Sequence, residues 1–472
     1  MDIRKTAGAC WMVAVVVFGA CAFAADIYVA PEGTAKGRGS AKNPIDIFTA
    51  VSAESPARPG DRIWLKGGVY EGRIVDNSRQ PFDIRVSGAA DKPVVIQPAP
   101  GESVRLDGTV AFYGNYTHVI GLDIGDSRWG QKGHRQSTAV DAFAGKSSKI
   151  INCNIFGGAM GTGIWGPAID FEIYGCMIHD FGYRGEGRGH GHSYYSQNRE
   201  GTKRLTDSIH FNGYGWNLHA YSESGWVQGY HVEGNIIFSP GMLQEDPPKD
   251  NIWFGSRNPM DRITIISNVV YHPERGGSRP NVRLTTQRDK NIAGKLKDNY
   301  IMGLRGLDVQ SWQKMEITGN TIWGPDRVLN VAAEKGDEWT VDNNTYIAPD
   351  NARLFNGKTF KDYRAATGFD ENSTLIDAAR PTGNFIFIRP NRYEKGRGHV
   401  AIFNWKKWDS VAVDLSGVLK KGAKFVVYNV QDLRGAPVVR GVFDGKPVKF
   451  PMLRSEIAPD FDAFLVRTMA EK

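Results

Sequence analysis

The chain has 472 residues, 41% of them hydrophobic, with a formal net charge of +7, 55 glycines and four cysteines. That length exceeds one ordinary globular core and suits an elongated repeat array with an appendage. The cysteines are too few for a disulfide scaffold, and the positive excess falls from Arg380 onward, where 17 Lys and Arg face 9 Asp and Glu, so bulk charge does not argue for a nucleic-acid partner.

At the N-terminus, Arg4 and Lys5 precede an apolar run from Ala9 to Phe23, and Ala22-Phe23-Ala24 offers a small-residue cleavage site before Ala25. Residues 1–24 are predicted to be a signal peptide, which makes the mature protein periplasmic or extracellular. Phe18-Gly19-Ala20-Cys21 is a poor lipoprotein box, since phenylalanine stands where leucine is usual. The run is short for a membrane span, and no later segment reaches the ~18 uninterrupted apolar residues that one needs. Cys10 and Cys21 leave with the signal.

Short β-type runs follow: Ile27-Tyr28-Val29-Ala30-Pro31, Pro59-Gly60-Asp61-Arg62-Ile63-Trp64-Leu65, Gly68-Val69-Tyr70 and Lys92-Pro93-Val94-Val95-Ile96. From Asn152-Cys153-Asn154-Ile155 and Gly175-Cys176-Met177-Ile178 onward, a strand ending in x-Asn-x-Ile recurs. Its key positions are 153, 176, 207, 235, 268, 299, 320 and 344, spaced by 21 to 33 residues. Such a period, with no amphipathic helix between the strands, marks a β-solenoid. Inward asparagines at the same height of each coil can hydrogen-bond to one another and to turn backbone, so the ladder is read as structural. Cys153 and Cys176 fall in its column as inert buried thiols.

A second register lies in Gly163-Ile164-Trp165-Gly166, Asn217-Leu218-His219-Ala220-Tyr221, Asn251-Ile252-Trp253-Phe254-Gly255, Asn281-Val282-Arg283-Leu284-Thr285 and Gly306-Leu307-Asp308-Val309-Gln310. Strand alternation sends Leu218, Ala220, Ile252, Phe254, Val282, Leu284, Leu307 and Val309 inward. Trp165, His219, Trp253, Arg283 and Asp308 then share one outward column, with Tyr221, Thr285 and Gln310 in the next. Solvated faces carry mostly Lys, Glu, Ser and Thr, so this stripe is either a site or a surface under long loops. Just upstream, the glycine-flanked run Gly189-His190-Gly191-His192-Ser193-Tyr194-Tyr195-Ser196-Gln197-Asn198-Arg199 concentrates polar and aromatic groups beside His219. His190, Tyr194, Tyr195, Asn198, Arg199, Trp165, Trp253, Arg257 and Asp308 are accordingly expected to bind substrate. His192, His219, Tyr221 and Arg283 are expected to be catalytic. A three-histidine zinc site from His190, His192 and His219 is geometrically conceivable but has no spacing signature, and no metal ligands are assigned.

After residue 346 a link over 347–379 is expected, in which Phe360 to Thr367 reads as a short helix capping the solenoid. Residues 380–472 then alternate strands at Asn384-Ile388, His399-Asn404, Ser410-Leu415, Lys424-Asn429, Pro437-Val442 and Ala463-Val466 with turns, the pattern of a small antiparallel β-sandwich. Its charge, with Trp405 and Trp408, suits either adhesion to an anionic polymer or a purely structural cap.

The opening runs resemble those of the bacterial pectate-lyase-like parallel β-helix superfamily, including its chondroitinase B and alginate lyase group, over about residues 26–346. The resemblance implies an all-β right-handed parallel β-helix for 25–346 and is poor for substrate; the expected partner is an extracellular polysaccharide, acidic or neutral, and the expected state a monomer. It also implies that calcium, held by carboxylates, is a better cofactor candidate than zinc. The run around His190 is similar to a His-Gly-x-Tyr-x-x-Asn element of β-helix proteins that degrade polysaccharides, with extra residues here. Because one fold hosts lyases, hydrolases, epimerases and non-catalytic surface proteins, function rests on the site. Elimination from a uronate needs a cation, a base and an acid, which Arg283, His219 and Tyr221 supply: arginine pairs bidentately with carboxylates, and imidazole with a solution pKa near ~6.5 accepts protons at neutral pH. Hydrolysis needs two facing carboxyls, for which Asp308 and Glu223 are the candidates, yet the outward column offers one carboxylate. A lyase is therefore the preferred reading, with a hydrolase and a non-catalytic glycan-binding protein as alternatives.

Overall fold

The computed structural model describes residues 24–75, 78–131, 137–186, 189–243, 249–273, 279–286, 289–456 and 458–469. The expected signal peptide lies outside them, apart from Ala24.

Three parallel sheets are built from residues 26–377, two of twelve strands and one of ten, and each complete coil contributes a strand to each in turn. This is a right-handed parallel β-helix. One coil shows the logic: Lys203–Thr206 lies in the first sheet, Ile209–His210 in the second and Leu218–Ser222 in the third. Between the first two strands the chain turns sharply through a residue with left-handed backbone, such as Asp207 (φ 50°), Ser267 (φ 53°) or Asp298 (φ 54°). Short polar side chains tolerate that conformation.

The residue after that turn is the ladder position. Asn235 donates from Nδ2 to Asn268 Oδ1 (3.0 Å), Asn268 to Asn299 (3.0 Å), Asn299 to Asn320 (2.9 Å) and Asn320 to Asn344 (3.0 Å). Each Oδ1 also accepts the backbone N–H of the preceding ladder residue, as Asn268 does from Asn235 at 2.9 Å. The column continues toward the N-terminus through Ser208, whose own N–H bonds Asn235 Oδ1, and then through the buried free thiols Cys176 and Cys153. Ser208, not Asp207, is thus the ladder residue of its coil, because Asp207 forms the turn itself. A second ladder, Asn217–Asn251–Asn281, joins the second and third sheets (2.8 and 2.9 Å).

At the C-terminal end the helix Phe360–Thr367 closes the solenoid, with Thr359 accepting the Asp362 N–H, Gly368 in the left-handed C-cap, and Phe360 and Tyr363 buried. The second sheet reaches past residue 346, since Thr374–Asp377 pairs with Thr345–Ala348. The C-terminal unit sets a five-stranded antiparallel sheet against the pair Ser410–Val413 and Val448–Pro451 around Val400, Phe425, Phe450 and Phe464. Its other face lies on the outer side of the second sheet, where Phe403, Trp405 and Phe461 meet Phe238, Tyr271 and Tyr300. Trp405, a candidate for surface adhesion, is instead buried there and donates to the Tyr300 hydroxyl (3.2 Å), while Trp408 is exposed. Arg389 and Arg392 add ion pairs to Asp207 and Glu172.

Candidate active site

The third sheet is built from Phe82–Ile84, Val110–Phe112, Val140–Ala142, Thr162–Ile164, Tyr194–Ser196, Leu218–Ser222, Ile252–Ser256, Pro280–Thr286, Arg305–Gln310 and Arg327–Ala332. Its register aligns Asp83, Ala111, Asp141, Gly163, Tyr195, His219, Trp253, Arg283, Asp308 and Asn330 in one outward column. The eight residues expected to face inward are all buried. The Asn217–Asn251–Asn281 ladder lies two residues before His219, Trp253 and Arg283, so it fixes the height at which each of them leaves the sheet.

Trp165 does not belong to this column. It follows Ile164 and stands two positions beyond Gly163, beside the column of Tyr221, while Tyr195 takes the place expected for it. A Cβ at Gly163 would collide with the Asp141 carboxyl, so glycine there lets Asp141 lie across the strand and accept the Trp165 indole N–H at 3.1 Å. Burial holds the Asp141 carboxyl up at about 6, against the hydrogen bonds from Trp165 and Thr138.

Around His219 the side chains form a box of rings. His219 stacks on Trp216 (5.0 Å), Trp253 (4.6 Å) and Tyr221 (5.3 Å), and meets His192 (4.5 Å) and Tyr195 (5.5 Å) edge-on. The Nδ1 of His219 lies 3.3 Å from Nε2 of His192. These residues, with Met160 and Glu223, line a pocket of about 330 Å³. Two buried groups brace it from behind. Lys203 donates to the carbonyls of Ile164 (2.9 Å), Trp165 (2.5 Å) and Gln197 (2.8 Å), which ties together the ends of the strands carrying Gly163 and Tyr195. His210, held down at about 3 by burial, bonds the Ser193 hydroxyl at 2.6 Å directly after His192.

Arg283 lies over the Trp253 ring, with its guanidinium carbon 4.2 Å from the centroid. Its Nε donates to the fully buried Asp250 (2.6 Å), and one Nη makes an ion pair with the same oxygen. Burial raises the Asp250 carboxyl to about 6, although Arg283 pulls it back.

Several expected substrate residues lie elsewhere. Tyr194 is in register with Leu218 and points into the core. Asn198 is fully buried and donates to Gln228 O (2.6 Å), since parity and the end of the strand turn it inward. His190 sits in a short antiparallel pair, stacked on Tyr183 at 5.3 Å and outside the pocket, which separates it from His192 and His219. Arg199 covers the Trp226 ring (4.8 Å), and neither Arg257 nor Arg283 lines the pocket, although Arg283 stands beside it over Trp253. Asp308 belongs to the column but engages Gln310 (2.7 Å) and Asn330 (3.0 Å). The column also holds three carboxylates, Asp83, Asp141 and Asp308, rather than one. Trp216 and Asp250 had no assigned role; each lies immediately before a ladder asparagine, the one sequence signal that could have exposed them. Among the described residues, no group of three or more His, Cys, Asp or Glu is placed to hold a metal ion.

No family model matches the sequence. A stretch of 109 residues, 22% of this chain and 8% of the relative, is 30% identical to pectate lyase L of Thermoclostridium stercorarium. Another of 85 residues, 18% of this chain and 19% of the relative, is 35% identical to pectate lyase PEL9 of Emericella nidulans. The chain thus spans less than a fifth of either curated relative. The crystal structure of pectate lyase Pel9A superposes with a TM-score of 0.50 at 16% identity, covering 68% of this chain and 78% of that one. The solenoid shares the parallel β-helix fold of that pectate lyase. Within the solenoid the ring box occupies the middle coils of the third sheet, and among the described residues no helix is long and apolar enough to cross a membrane.

Proposed function

We propose that this protein is an exported polysaccharide lyase that cleaves a uronic-acid-containing polysaccharide by β-elimination. The observation that carries the reading is the His192–His219 contact at the heart of an aromatic pocket, with two tyrosines beside it. Flat aromatic walls suit the apolar faces of sugar rings. In the proposed reaction His219 takes the proton from C5 of the uronate, and His192 shares it. The electron pair forms the C4–C5 double bond, the C4–O bond breaks, and Tyr221 gives its proton to the departing oxygen. Arg283 neutralises the substrate carboxylate from its position over Trp253, with Asp250 fixing its orientation at some cost in net charge. The local kinship to pectate lyases supports the same class.

A hydrolase is a second reading on one observation: burial raises the Asp141 carboxyl to about 6, toward the range of a catalytic acid, and Glu223 lines the nearby pocket as the second carboxylate. One assay separates the two. Incubation with pectate, alginate, glucuronan and glycosaminoglycans should give products with the ultraviolet absorbance of an unsaturated uronate. Reducing ends released without that absorbance would replace the lyase by a hydrolase.

A further inference from the structure

The outward face of the third sheet continues beyond the pocket toward the N-terminus. Phe112, Ala142 and Ile164 are in register, so the residues after them, Tyr113, Phe143 and Trp165, fall in one column on three successive coils. The Tyr113 and Phe143 rings stack at 5.5 Å, and Phe143 is 39% exposed. Trp165 meets Tyr195 edge-on at 5.7 Å, and Tyr195 is a wall of the pocket. An aromatic ridge therefore runs into the candidate site. From the coil of Tyr113 to that of His219 it covers four coil steps, about 19 Å at ~4.8 Å per step. One step is close to the length of one pyranose residue along a chain.

Charge indicates which sugars such a ridge takes. Asp83 and Asp141 stand in the adjoining column. Arg85 covers Tyr113 (4.1 Å) but is already paired with Asp83 (2.8 Å). Those two columns therefore carry no surplus positive charge over residues 83 to 165, and a row of uronates laid on them would meet carboxylates. Uncharged sugars would instead meet the exposed Phe143 ring and the apolar edge of Tyr113, whose faces are taken by Phe143 and Arg85, with oxygen acceptors beside them for their hydroxyls.

We propose that the Tyr113, Phe143 and Trp165 ridge binds neutral sugar residues of the polymer, so that the substrate is a mixed polysaccharide whose uronates are separated by uncharged sugars. The uronate in the pocket rests on the lyase reading; the ridge itself does not. The test is electrophoresis of the full chain in native gels containing gellan, in which glucuronate sits among neutral sugars, or polygalacturonate, a pure uronate. Wild-type protein should be retarded by gellan more than by polygalacturonate. The double variant Tyr113→Ala/Phe143→Ala should lose about tenfold in apparent affinity for gellan, equivalent to ~1.4 kcal/mol, with its melting transition unchanged because both rings lie on the outer face. Phe143→Trp should retain binding. Retardation by polygalacturonate equal to or above that by gellan, or a double variant retarded like the wild type, overturns the proposal. Product absorbance is read separately: its absence sinks the lyase reading while leaving the ridge to stand or fall by the gels.

Discussion

His219 Nδ1 faces His192 Nε2 at 3.3 Å across adjoining coils, so one proton fits between the two imidazoles. That contact couples a strand residue to the loop before the preceding strand. If His219 is the base, His219→Ala should lower turnover by roughly 10²–10⁴, while circular dichroism and gel filtration remain those of the wild type. Activity within a factor of a few of wild type would remove His219 from the mechanism. His192→Ala should show the same direction with a smaller loss.

Asp250 is the counter-charge of Arg283 and is completely buried. Asp250→Asn should cost about 3–5 kcal/mol, as breaking one side of a buried pair does. Arg283→Lys, which loses both the fork geometry and the contact with Trp253, should raise KM and lower kcat together. Denaturant titration reads the first effect and steady-state kinetics the second; an Asp250→Asn protein as stable as wild type would mean that water reaches the pair.

The Asp141 carboxyl is raised from 3.8 to about 6 in the folded protein, chiefly by burial. The folded state therefore keeps a proton that the unfolded chain releases. Its contribution to stability is fully present below pH ~4 and is lost as pH rises through about 6. Asp141→Asn keeps an acceptor for the Trp165 indole and removes the titration. Relative to wild type, the variant should gain on the order of 1–3 kcal/mol between those limits. Denaturation midpoints measured across that range for both proteins decide it: parallel curves would show that the carboxyl is solvated.

In the asparagine ladder, Asn268 accepts from Asn235 and donates to Val232 O (3.0 Å), Ile266 O (3.0 Å) and Asn299 (3.0 Å). Asn268→Leu leaves buried backbone groups unpaired and should cost ~1–3 kcal/mol. An unaltered melting temperature would mean that the coils hold register without the side-chain bonds.

The fold was legible because its signal repeats: an asparagine after each turn can be recognised without knowing what it touches, and alternation then assigns Leu218 and Ala220 to the core and His219 to the surface. The same logic located His219, Trp253, Arg283 and Asp308 in one column. It failed where a strand ends or a partner is remote. Trp165 lies one residue past its strand, so matching Gly163-Ile164-Trp165 by its tryptophan displaced it by two places. Tyr194 and Tyr195 are adjacent, and only the register with Leu218 and His219 decides which one faces out. Asp250 and Arg283 are 33 residues apart, and no local pattern connects a buried carboxylate to a guanidinium on the next coil.

The covering of the second sheet by the C-terminal unit also bears on how the protein is made. Coils of a solenoid contact mainly their neighbours, so ordering can spread along the chain as it emerges. The aromatic row of Phe211, Phe238, Tyr271 and Tyr300, however, receives its cover from Phe403, Trp405 and Phe461, which are made only after every coil of the spiral. Until then a finished spiral presents an oily flank to whatever surrounds it. Nascent chains stopped before residue 400 should consequently be the species most prone to clump or to be held by chaperones, even though every coil of the spiral is already in place.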